Sequence, residues 1–172
     1  MTDQTLITPF LAHKADHSHY PTPLATEFAA LLPALARHIE AEREIEDVDI
    51  WDPAFRSWLT DAEHAFTDVT THLSTIASID LTCSDDKPLK RMSMLIDAMI
   101  GSEEPQTFMQ FYRLLPRFEH LFYCDGTSLA IRHRNVMLRT ARAHIDTMAN
   151  LLTYDSEATI YVDETLEVPR FA

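Results

Sequence analysis

Asp61, His64, Asp68 and His72 recur three and four positions apart in the stretch "DAEHAFTDVTTHL". On a helix such a row falls along one flank, and carboxylates and imidazoles so spaced are how a bundle presents ligands to zinc or iron. A bundle site, however, points its ligands inward among apolar neighbours. On a wheel of about 100° per residue, Phe55, Trp58, Ala62, Phe66, Leu73 and Ile76 share a sector about 80° wide. The four polar residues centre about 135° from the middle of that sector. His64 points outward and only His72 reaches the boundary, so the row reads as a solvated face without a metal. A second group, His13, Asp16, His17 and His19, has zinc-ligand types but precedes the first capped helix, and reads as a polar lead-in. No His-x-x-x-His or Glu-x-x-His pair falls on an expected helix, so neither metal nor cofactor is expected.

Charges placed among apolar residues are a stronger signal. Arg134 sits within the face formed by Ala130, Met137, Ala141, Ile145, Met148 and Leu152. Glu119 falls in the sector of Phe108, Phe111, Tyr112, Leu115 and Phe122. Charged side chains are seldom buried unless paired. A turn at Asp125-Gly126 would fold the two helices into an antiparallel hairpin. Glu119 precedes that turn by six positions and Arg134 follows it by eight, so at 1.5 Å per residue their heights differ by about 3 Å. The spacing predicts a buried Glu119–Arg134 pair, with His133 and His144 flanking it. That pair is either an ion pair setting helix register or a ligand-binding group in which Arg134 holds an anion. No nucleophile stands beside an orienting base, so no catalytic residue is assigned.

The third feature is acidic. "EAEREIEDVDIWD", residues 40 to 52, sets seven carboxylates against Arg43 alone, a net of −6. Such runs are ordinarily solvated. Here Ile45, Val48, Ile50 and Trp51 thread through the acid, which suits docking to a basic protein surface. Glu44, Glu46 and Asp47 would speed encounter and Trp51 would anchor it. The competing target is internal: Arg132, Arg139 and Arg142 on the outer face of the last helix.

These residues need elements to position them. Thr22-Pro23, Asp52-Pro53, Asp86-Lys87-Pro88 and Ser102-Glu103-Glu104 are helix-start signals, placing starts near 23, 53, 87 and 103. "CDGT" supplies a stop at a left-handed Gly126 and a restart capped by Thr127. Apolar residues recur at threes and fours after each start. Pro33 and Pro116 lie inside two of these patterns and predict kinks or short breaks. "TIYVDETLEV" alternates and predicts a short strand or hairpin. The expected fold is mostly α: one domain over 1–172, with an extended or mobile lead-in at 1–21, a bundle of about five helices at 22–154 and a tail at 155–172.

Composition bounds the function. The chain has 172 residues, a formal charge of −13 and only 2 glycines. Phosphate-cradling loops need more glycine than this, and nucleic acid and anionic membranes repel such a surface. The longest apolar run is too short to span a bilayer, and "MTDQTLITPF" lacks the features of a signal peptide. Cys83 and Cys124 form no close motif, which suits reduced thiols in a cytoplasmic protein. The preferred reading is therefore a non-enzymatic, acidic helical module acting through a basic protein partner, as inhibitor, immunity-type, chaperone or adaptor proteins do. A homo-oligomer is compatible with it. The alternatives are a small-ligand-binding bundle with an anion on Arg134 and, third, a histidine-based metal-dependent bundle enzyme.

Overall fold

The computed structural model describes residues 21–46, 51–102 and 104–154. The His13–His19 group, Asp47, Asp49, Glu103 and the alternating "TIYVDETLEV" segment lie outside the described residues. Five helices follow one another: α1 (Pro23–Glu46), α2 (Phe55–Ser78), α3 (Lys87–Ile100), α4 (Pro105–Leu114) and α5 (Leu129–Met148). Short 3-10 segments stand at Ser84–Asp86, Leu115–Phe122 and Leu152–Tyr154. The described chain is thus a mostly α bundle, and none of its helices is long and apolar enough to cross a membrane.

Local chemistry explains the boundaries. Thr22 Oγ1 accepts from the Ala25 amide at 3.1 Å, and Asp52 Oδ1 accepts from Ala54 at 2.8 Å, each satisfying a donor near a helix start. The cap of α5 is Ser128, whose hydroxyl accepts from Ile131 at 3.2 Å, one residue later than the expected Thr127. Lys90 Nζ reaches the carbonyls of Ala77 and Ile79, satisfying acceptors at the end of α2.

The two internal prolines behave differently. Pro33 is enclosed within α1, which carries on through it as one helix. Pro116 coincides with a break: α4 stops at Leu114, and the chain tightens into the 3-10 segment. That segment is itself interrupted at Phe118 (φ −116°, ψ 15°) and gives way to extended backbone at Tyr123. Gly126 adopts φ +126°, a left-handed geometry, but in the turn beyond that extended residue and not as a helix cap.

Helices α1, α2, α3 and α5 enclose the core, with α1 packed along α2 and also against α5. Phe28, Leu35, Ile76, Met92, Phe108 and Met148 are among its fully buried side chains. Close packing of this kind makes truncating Phe28 to alanine cost about 3–5 kcal/mol. Leu151, not the expected Leu152, completes the apolar face after α5, because the helix ends at Met148 and the chain changes pitch. A second, smaller cluster of Ala41, Ala62 and Ala65 joins the end of α1 to the beginning of α2.

Candidate functional site

The row on α2 faces solvent. Asp61, His64 and Asp68 are exposed, and Asp68 lies 3.2 Å from Arg37 of α1. His72, at the boundary, is half-buried with Nδ1 2.6 Å from Glu27 Oε1. Among the described residues no group of three or more His, Cys, Asp or Glu side chains is placed to hold a metal ion.

Arg134 is buried, as its place in the apolar face requires, but its partner is not Glu119. Its Nε donates to Asp86 Oδ1 at 2.8 Å, with the two side chains 5% and 1% exposed. Glu119 is exposed, and among the described residues no ion pair joins it to Arg134. The expected register assumed a continuous α-helix through residue 119. A 3-10 segment has three residues per turn and about 2.0 Å of rise, so from Leu115 onward both height and face depart from an α-helical wheel. Asp86 in turn makes no side-chain cap for α3. Its carboxylate instead points into the core, still beside the helix N-terminus whose dipole favours it.

Neighbouring polar groups are also committed. Asn135 Oδ1 accepts from the Cys124 amide and Asn135 Nδ2 donates to the Cys124 carbonyl, both at 2.9 Å. Cys124 Sγ donates to the Asp85 carbonyl at 3.3 Å. Burial pushes the Cys124 thiol up to about 11, with Arg134 pulling the other way and the carboxylates of Asp85, Asp86 and Asp125 adding to the rise. A thiol so protonated is a poor nucleophile. Of the flanking histidines, His133 is exposed and His144 half-buried, its pKa lowered by desolvation. Arg134, Asp86, Asn135 and Cys124 therefore form a buried clasp between α5 and the segment leading into α3.

The acidic strip divides. Glu44 is exposed and Trp51 is 84% exposed. Glu46 Oε1 accepts from the Leu152 amide, and Glu42 Oε2 accepts from the Thr153 hydroxyl at 2.9 Å. These two carboxylates satisfy the chain after α5, and none of the described strip residues is ion-paired with Arg132, Arg139 or Arg142. A groove of about 490 Å³ opens beside them, with Leu59, Phe66 and Leu152 among its apolar lining and Glu42, Glu46 and Glu63 as its charges. His38 of α1, next to two of the lining residues, is 2% exposed, with neither ring nitrogen hydrogen-bonded. Its Nδ1 is 3.8 Å from Glu42 and its ring 5.7 Å from that of Phe66. Desolvation lowers its pKa, opposed by the Glu42 carboxylate.

A second concavity of about 440 Å³ lies between α3, the 3-10 segment and α5. Met92, Leu115, Phe122 and Leu138 give it an apolar lining, and Glu119, Arg139 and Arg142 add charge. Glu119 thus reaches a cavity, although Arg134 is not among the residues that line it. Sequence reasoning missed Arg139 and Arg142 as lining residues because it placed them on an outer face; a tally of charge by segment would have singled them out. No protein-family profile matches the chain, and no curated protein or solved structure is significantly similar to it.

Proposed function

We propose that this protein is an acidic helical binding module that acts through a protein partner with a basic surface. The observation that carries the reading is the surface where the end of α1 meets the start of α2. Trp51, five residues after the acidic end of α1 in the sequence, is 84% exposed, and a groove with both apolar and carboxylate lining opens between the end of α1 and the start of α2. An exposed aromatic bordered by acid suits an anchor for a partner's apolar side chain, with the charges speeding encounter. Arg134, Asp86, Asn135 and Cys124, by contrast, are committed to one another or to backbone, and among the described residues no activated nucleophile stands beside an orienting base, which favours binding over catalysis. Two free thiols accord with a cytoplasmic location. Affinity capture from the native cell, comparing wild type with a Glu44→Gln/Trp51→Ala variant, tests the reading. A basic protein enriched on wild type and lost on the variant supports it; identical captured sets overturn it.

A further inference from the structure

Charge is unevenly distributed along this chain. From residue 105 to 148 the sequence holds Arg113, Arg117, Arg132, Arg134, Arg139 and Arg142 against Glu119, Asp125 and Asp146, a net of +3 in a protein of net −13. The cavity between α3, the 3-10 segment and α5 is lined largely from this basic stretch. Arg134 is paired with Asp86 and does not line the cavity; the arginines that do are Arg139 and Arg142, the latter paired in part with Asp146.

Their geometry suits an anion. They stand three positions apart on α5, which puts both on one side of the helix. Arg142 is held in place: its Nε donates to Asp146 at 2.9 Å, and its guanidinium carbon lies 5.5 Å from the centre of the Tyr112 ring. A guanidinium presents five donors, so one bond to Asp146 leaves the others for a ligand. Arg139 makes no ion pair with any described residue. Below them Met92, Leu115, Phe122 and Leu138 form an apolar floor, and a volume of about 440 Å³ is that of a small-molecule site.

We infer that this cavity binds a small amphipathic monoanion, its carboxylate or equivalent head on Arg139 and Arg142 and its apolar body on Leu115, Phe122 and Leu138. The site shares no lining residue with the acidic groove, and the inference is independent of the protein-partner reading. Glu119, also in the lining, opposes the anion and moderates its affinity.

Calorimetric titration of the full chain with decanoate, below its micelle-forming concentration, tests the site against decanol and decyltrimethylammonium. Saturable one-to-one binding of decanoate is expected, with at least about tenfold weaker binding of the other two, since charge-assisted hydrogen bonds are lost. Arg139→Ala, at an exposed position, should weaken decanoate binding about tenfold. Glu119→Gln should tighten it. Amide and methyl shifts on titration should centre on Leu115, Phe122 and Leu138. Absence of saturable decanoate binding, equal binding of the cation, an Arg139→Ala variant that binds as wild type does, or shifts centred on the acidic groove would each overturn the inference.

Discussion

Arg134 and Asp86, 48 residues apart in sequence, are joined by a 2.8 Å hydrogen bond between two side chains that are almost wholly buried. The pair ties the second turn of α5 to the residue preceding α3. Removing one member leaves an uncompensated charge, whereas removing both restores an apolar contact. Arg134→Met should therefore cost about 3–5 kcal/mol in urea unfolding, and Asp86→Leu combined with Arg134→Met should recover much of it. A double variant as unstable as the single one would show that the clasp needs its charges.

The adjacent thiol provides a chemical test of the same region. Cys124 is buried, its pKa raised to about 11, and Cys83 is half-buried. Thiolate is the reactive species, so alkylation at pH 8 should label Cys83 first and Cys124 only as the bundle opens. Mass spectrometry after iodoacetamide reads the order. Equal early labelling would mean that the clasp opens readily.

His38 sets a pH dependence. The unfolded imidazole titrates near 6.5, while the folded one, desolvated, takes a proton less readily. The unfolded state therefore binds more protons below that value, and stability falls as pH drops from about 7 toward the lowered folded pKa. His144 acts in the same direction. His38→Leu, which removes two unsatisfied buried nitrogens, should hold or raise stability at pH 8 and raise it further at pH 5.5. Denaturant midpoints at the two pH values measure the difference; an unchanged slope would assign the pH dependence to other groups.

Gly126 is a backbone requirement. At φ +126° a side chain is strained, and an added Cβ would come within 2.5 Å of Ile131 Cδ1. Gly126→Ala should destabilise by about 1–3 kcal/mol. Since the Ile131 tip can move, Ile131→Val should relieve only a minor part of that cost. Full rescue by Ile131→Val would place the strain in the contact instead.

The sequence was legible where local rules decide the structure. Thr22, Asp52 and Ser102 act at or near the starts expected of them, and the apolar periods mark five helices and most of their buried faces. The outward orientation of Asp61, His64 and Asp68 followed from the same wheel. Glu119 was misplaced because a proline near the middle of a pattern was credited with a kink but not with a change of helix type. Asp86 was read as a cap because its sequence context is that of a cap. Only the approach of α5, from 48 residues away, turns its carboxylate inward, and no local pattern encodes that approach. Glu42 and Glu46 were likewise read as part of an acidic strip facing solvent or a partner, since the Thr153 hydroxyl and the Leu152 amide that they accept from lie more than one hundred residues downstream.

Those two carboxylates also bear on the order in which the chain folds. The contacts from Glu46 to Leu152 and from Glu42 to Thr153 span 106 and 111 residues, nearly the whole described bundle. Closing so long a loop costs more chain entropy than forming any adjacent helix pair, and the contacts become cheap only once α1, α2 and α5 are already assembled. They belong to the native side of the folding barrier. Loss of the Glu42–Thr153 contact in Glu42→Ala or Thr153→Ala would therefore leave the refolding rate nearly unchanged and appear as faster unfolding. Such a latch between the two ends of the bundle would lengthen the life of the folded state without changing how quickly it is reached.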